Sequence, residues 1–288
     1  MESSAETEAP ALYTRRSTRT GLPPMRNYLA NAWRYRTFAL YWSKADVKAR
    51  NFDTFFGRVW HVINPFLFGL IYFVFVGIIG GGGFDDTERL ALIVGNLYAW
   101  LFFSTIVTTG ASAIQSGAGG ILTQSSIPRM VLPMASAITA ANLFFRSLLA
   151  YVPLHVLAGR GLHMEMLWIP YLTVLTMLVG FGTALVMAVL NVYFRDISRL
   201  LPHGLRLWLY LSPVIWEYTR VLDNAEFAQL NPMYPAYTAW TIAFGGTLDP
   251  DGPSMLGSLL WFTLFASVVI VVGFITFASR EDEFAVRN

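Results

Sequence analysis

The side chains of this sequence that could do chemistry are few and far apart. Its four histidines, His61, His155, His163 and His203, share no metal-ligand spacing, and the absence of cysteine excludes disulfides, thiolate chemistry and Cys-based metal sites. Asp85-Asp86 is an adjacent carboxylate pair that follows the glycine run Gly80-Gly-Gly-Gly83. That run leads into Phe84 and the two aspartates, not into a Lys-Ser/Thr pair opening a helix, so it cannot cradle phosphates as a P-loop does. Any energy source must therefore come from another chain or from an ion gradient. Arg146 stands alone as a charge inside an apolar stretch. At mid-membrane it would cost about 2.5–3.5 kcal/mol, so it should face protein or a watery path, or snorkel.

The elements that must position these residues are membrane helices. No Asp, Glu, Lys or Arg occurs between Arg58 and Asp85, or within residues 90–128, 166–194 and 252–279. About 20 apolar residues suffice to cross a ~30 Å hydrocarbon core. Within lipid each segment must satisfy its own backbone groups, which makes these runs helical. The expected fold is an all-α membrane protein with spans at about 59–80, 90–113, 133–157, 167–193, 199–217 and 256–278. Basic residues gather on one side of that arrangement. Only Arg89, Arg160 and Arg220 fall on the other side, which also receives Asp85, Asp86, Glu88, Glu165, Glu217, Asp223, Glu226, Asp249 and Asp251. The positive-inside rule then puts both termini in the cytosol.

Residues 1–25 are polar, lack an apolar signal core and read as a disordered cytosolic tail. Residues 26–58 hold an amphipathic interface helix and its approach to the first span. Tyr28, Ala32, Tyr35, Ala39 and Trp42 recur at helical spacing, with Arg26, Lys44 and Lys48 opposite. Such a helix suits the headgroup level of a membrane, or packs against the rest of the protein. The transmembrane domain covers 59–279, and 280–288 forms a cytosolic C-terminus. Residues 114–133 are too polar for lipid. Glycines break the incoming helix, Pro128 and Pro133 bound the next element, and a short helix between them makes a knob that can dock into a partner. Residues 217–255 are too aromatic for a free loop and too rich in proline for a span, which suggests short helices dipping back into the outer interface.

Several motifs carry a resemblance. Lys44-Ala-Asp-Val-Lys-Ala-Arg50 with Phe52 to Trp60 and Asn64-Pro65 is similar to the approach to the first span in permeases of ABC-2 polysaccharide exporters. Ile127-Pro128-Arg129-Met-Val-Leu132-Pro133, Asn191-Val-Tyr-Phe-Arg195-Asp196-Ile197, Leu211-Ser212-Pro213-Val-Ile215 and Leu230-Asn-Pro-Met-Tyr-Pro235 follow in the family's order. The sequence departs from the family at Ala45, where Arg is usual, and at Phe52, where Tyr is common. The resemblance covers about residues 26–280 and implies a homodimeric channel for O antigen, teichoic acid or mycobacterial galactan on a polyprenyl-diphosphate carrier. It implies two copies of a separate ATPase, which would hold ATP and Mg, no cofactor in this chain and no nucleic-acid partner. The expected location is a bacterial inner membrane.

On that basis Ile121, Leu122, Ile127, Pro128 and Arg129 are expected to couple to the ATPase, and Tyr35, Phe38, Trp42 and Arg50 to form an interface or gate helix. Tyr72, Phe73, Arg146, Ser212 and Pro213 are channel candidates, because sugar rings stack on aromatic planes and a broken helix can line a wet path. Arg195 and Asp196 form a cytosolic motif that can cap backbone groups or pair. An ABC-2 drug or lipid efflux permease would share this architecture without the aromatic approach helix. A membrane-embedded glycosyltransferase would need acids or a histidine near cytosolic donors, and an ion-coupled carrier would need carboxylates inside its spans.

Overall fold

The computed structural model describes residues 24–50, single positions between 59 and 78, and residues 87–115, 127–216, 230–247 and 253–284. Every regular element among them is helical. In chain order they are α1 (Met25–Arg34), α2 (Arg36–Arg50), α3 (Thr87–Ser112), α4 (Val131–Leu157), α5 (Ile169–Tyr193), α6 (Ile197–Leu211), α7 (Tyr234–Ala243) and α8 (Met255–Arg280). Short 3-10 turns at Met164–Trp168 and Glu281–Glu283 lead into α5 and out of α8.

Among the described residues four helical stretches are long and apolar enough to cross a membrane: α3, α4, Met164–Tyr193 and α8. The expected span at 59–80 lies mostly outside the described residues, and the tail before residue 24 and the loop at 81–86 lie wholly outside them. The expected span at 199–217 comes out differently. α6 has 15 residues, roughly 22 Å of helix, and a turn through Trp216 follows it. Its end is set by Pro213. The residue before a proline is pushed out of the helical region, and Ser212 is extended at φ −106°, ψ 146°.

α5 lies between α3 and α8. It can approach α8 closely because glycines meet at the crossing: a Cβ on Gly273 would stand 2.2 Å from the Gly182 carbonyl oxygen. Lipid supplies no hydrophobic force between helices, so small residues that let backbones touch are what draw such helices together. α4 packs on the other side of α3, and α2 runs along the first turns of α4. α7 fills a wedge between α3, α5 and α8. Its aromatics close the core: Trp100 meets Tyr237 at 5.7 Å between ring centroids, and Phe144 meets Trp240 at 5.9 Å. Two polar groups inside are paired, Trp240 Nε1 with Thr176 Oγ1 at 3.1 Å and Asn96 Nδ2 with Thr241 Oγ1 at 2.7 Å, whereas Asn96 Oδ1 and the Tyr237 hydroxyl have no hydrogen-bond partner. Tyr98, Trp100, Phe102 and Phe103 are all buried, so within one copy these aromatics serve the core.

At the end of the bundle away from the described termini, Arg160 ties three elements together. Its guanidinium donates to the Gly245 carbonyl at 2.5 Å and to Glu88 at the start of α3 at 3.2 Å. Gly245 can end α7 there because its φ of 82° suits only a residue without a Cβ.

Candidate functional site

Two asparagines hold α6 at its two ends, and both stand in the motifs that carry the resemblance. At the start, Asn191 is fully buried at the end of α5. Its Oδ1 accepts the Ser198 backbone N–H at 3.1 Å, which satisfies one of the orphan donors of the first turn. Its Nδ2 donates to the Ala111 carbonyl at 3.0 Å and to Gln115 Oε1 at 3.1 Å, and Gln115 Nε2 returns a bond to the Asn191 carbonyl at 2.5 Å. Asp196, the expected cap, makes no side-chain cap bond, and it and Arg195 are exposed. The capping group arrives from the preceding helix instead.

At the other end, the helix stops beside the buried core, and the Leu211 carbonyl loses its intrahelical partner. Asn231 Nδ2 donates to that carbonyl at 3.0 Å and to Ser212 Oγ at 2.9 Å. Its Oδ1 accepts Trp208 Nε1 and the Met233 backbone N–H, each at 3.0 Å. All four capacities of the amide are filled. A broken helix at membrane depth is tolerated only where protein or water covers the freed groups, and here the amide supplies that cover.

So held, α6 lies along α3 in the opposite direction and leaves a cavity of about 180 Å³ between them. Leu97, Trp100, Leu101, Ser104 and Thr108 line it from α3, and Pro202, Leu205, Arg206 and Leu209 from α6. Ser104 and Thr108 donate their hydroxyl protons back to the helix, to the Leu101 carbonyl at 3.3 Å and the Ser104 carbonyl at 2.8 Å. Their oxygens keep acceptor capacity for a ligand donor. The cavity is smaller than the ~300 Å³ at which ordinary ligand pockets begin.

At the end carrying the termini, a second cluster forms around the last turn. Glu281 accepts from the Tyr28 hydroxyl and from the Arg129 backbone N–H at 2.5 Å, and its carbonyl accepts from the Arg129 guanidinium at 3.1 Å. Glu283 accepts from the Tyr193 hydroxyl and from Arg280 at 2.9 Å. Phe284 is fully buried against Phe277 and a cluster that includes Ala32, Met130 and Ala188. α1, the chain entering α4, the end of α5 and the end of α8 thus meet at one place.

The expected site residues are distributed as follows. Ile121, Leu122, Tyr72 and Phe73 lie outside the described residues. Ile127 and Pro128 are half-buried at the entry to α4, and Arg129 is engaged by Glu281 within the chain. Tyr35, Phe38 and Trp42 pack with Ala39 against Val131 and Ala135 at the start of α4. Arg50 ends α2. The opposite side of these helices exposes Trp33 and Tyr41, with Arg36 5.0 Å over the Trp33 ring and Lys44 5.9 Å over the Tyr41 ring. Arg146 is exposed on the outer flank of α4, and Ser212 and Pro213 are buried within the protein. Sequence reasoning missed Asn191, Asn231, Arg206, Glu281 and Phe284. Both asparagines were visible in the motifs, and Glu281-Asp-Glu283 as an acidic run directly after a span.

No family model matches the chain. It is 26% identical over 256 residues to the O-antigen export system permease protein RfbA of Myxococcus xanthus, covering 88% of this chain and 96% of that protein. Two proteins of the same name from Klebsiella pneumoniae are each 24% identical over 243 residues, covering 83% of this chain and 90% of theirs. These likenesses run through nearly the whole described region and bear out the resemblance carried by the motifs.

Proposed function

From the likeness to O-antigen export permeases we infer that this chain is the channel-forming transmembrane subunit of an ABC-2-type polysaccharide exporter. The observation that carries the reading is collinear similarity over 88% of this chain and 96% of a relative named for O-antigen export. The four apolar helices long enough to span make it a multi-pass membrane protein. Two copies pair to enclose one path in the bacterial inner membrane, with α1, α2, residues 127–130 and 281–284 at the cytosolic side. There α1 and α2 lie at headgroup level, with α2 packed on α4 and the exposed Trp33 of α1 and Tyr41 of α2 toward lipid. The half-length α6 and the buried α7 make a broken, re-entrant wall toward the outer side.

Two copies of a separate ATPase bind below, near residues 120–130. ATP hydrolysis there moves the entry to α4, and with it the Glu281 cluster and α8. The cargo is a polysaccharide of O-antigen, teichoic-acid or galactan type on a polyprenyl-diphosphate carrier. Depletion of the chain in its host, with extraction of the lipid-linked glycans, tests this. A lipid-linked polymer should accumulate inside the cell, and the chain should co-purify with an ATPase. Unchanged glycan lipids together with loss of a drug or phospholipid efflux activity would move the protein to the runner-up, an ABC-2 drug or lipid permease.

A further inference from the structure

The exposed face of α6 is charged where the surrounding helices are apolar. Arg199, His203, Arg206 and Tyr210 stand at i, i+4, i+7 and i+11, so they line one face of the helix, and all four are exposed. From Arg199 to Arg206 the stripe climbs roughly 10 Å. The antiparallel run of α6 along α3 fixes its depth. Asn191, just before α6, bonds Ala111 near the end of α3, whereas Trp208 meets Trp100 and Phe103 at 6.0 and 5.7 Å between ring centroids, and Arg206 lines one cavity with Leu101 and Ser104. An exposed guanidinium within a membrane helix is costly against lipid, and water, a counter-charge or snorkelling to the interface relieves it. Among the described residues α4, α5 and α6 themselves contain no carboxylate, Asp196 stands directly before α6 and three residues from Arg199 rather than beside Arg206, and Glu88 on α3 is held by Arg160 at the far end.

We propose that Arg206, with Arg199 and His203 below it and the Ser104 and Thr108 hydroxyls beside it, forms a binding subsite for a phosphate-class anion on the transported molecule. Every side chain of the stripe can donate, and its two arginines donate without accepting. Arg206 offers a planar fork of N–H groups that matches phosphate oxygens, and it is always charged. The cavity behind it carries the Ser104 and Thr108 oxygens, two acceptors that suit the hydroxyls of one sugar unit next to that phosphate. The subsite rests on the exporter reading. Its phosphate has two sources, the diphosphate of a polyprenyl carrier or a phosphodiester within the polymer.

The test uses the full-length chain in lipid nanodiscs and titrates undecaprenyl diphosphate, undecaprenol and a glycerol-phosphate oligomer. Wild type should bind the diphosphate, or the oligomer, far better than undecaprenol, and the preferred probe identifies the source. Hydrogen bonds to charged groups are worth enough that Arg206→Gln should weaken that binding by roughly tenfold or more, while Arg206→Lys should keep most of it. A second readout does not depend on those variants. With no native cysteine, Leu207→Cys on the exposed face beside the stripe should be shielded from maleimide by the diphosphate and not by undecaprenol. Equal affinity for diphosphate and alcohol, or no change in Arg206→Gln with unshielded Cys at 207, would overturn the subsite. If wild type also fails to export any glycan in reconstituted vesicles with its ATPase, the exporter reading falls as well. Intact export with those binding results removes the subsite alone.

Discussion

Replacing Asn231 by alanine should loosen α6 and α7 together. The side chain makes four hydrogen bonds of 2.9–3.0 Å, two donated to Leu211 and Ser212 and two accepted from Trp208 and Met233. Interhelical hydrogen bonds in membrane proteins average about 0.6 kcal/mol each by double-mutant cycles. Four of them amount to roughly 2.4 kcal/mol, and the Leu211 carbonyl is left without its side-chain partner. At about 2–4 °C per kcal/mol for a domain of this size, the detergent-solubilised chain should melt roughly 5–10 °C lower. Ser212→Ala is the internal control. It removes one of those four bonds and the Ser212 bond to the Trp208 carbonyl at 2.8 Å, so it should cost about 1 kcal/mol and 2–4 °C. Asn231→Asp keeps both accepted bonds, loses both donated ones and sets a carboxylate oxygen against the Leu211 carbonyl, so it should melt below Ser212→Ala. Differential scanning fluorimetry on the three variants gives the ranking. If Asn231→Ala melts no lower than Ser212→Ala, the amide does not hold the end of α6, and the account of the broken helix is wrong.

Other outcomes follow from the same packing and charge pattern. Gly273→Leu should abolish the α5–α8 crossing and yield aggregated protein on size-exclusion chromatography, because even a Cβ there meets the Gly182 carbonyl at 2.2 Å; Gly204→Ala, with nothing within 4 Å, should be as stable as wild type or slightly more so. Arg129→Glu places a carboxylate against Glu281, so export of the glycan should fall sharply while membrane insertion, measured by fractionation, stays normal. A single cysteine at Gly82 should react only with reagents applied from outside the cell, and reaction only from the cytosolic side would reverse the topology.

Much of the scaffold was legible because lipid leaves few options. A charge-free run longer than about 20 residues must be a helix, and α3, α5 and α8 follow those runs closely, while α4 forms on apolar residues around Arg146. The inward stripe of the first two helices was also readable: Ala32 and Ala39 are buried as the helical spacing required, and Tyr35 and Trp42 pack on α4. α6 was misjudged as a full span because its apolar residues continue into Ser212 to Trp216, while the stop lies in one proline. Hydropathy averages over a window and does not register a single φ constraint. The cap of α6 was not legible for a related reason. Asp196 is adjacent in sequence to the helix start, but the group that reaches the first-turn N–H is Asn191, brought there by the end of α5. Sequence proximity favours the near residue, and the geometry of a helix reversal favours the one a turn back.

The charged residues divide by the same logic. Arg129 and Arg160 sit next to carbonyls or carboxylates that the chain itself supplies, and they join elements that are distant in sequence. Arg199 and Arg206 point the other way, out of the fold, on a helix whose ends are fixed by amides and which itself contains no acid. Among the described residues after α2, exposed cations within the helices are few, Arg146 on α4 and Arg206 on α6 among them, and Arg206 adjoins a cavity that carries hydroxyl groups. An anion that comes to Arg206 offsets the cost of its exposure, which places the recognition of an anion on α6 and leaves the aromatics of α3 and α7 to the core.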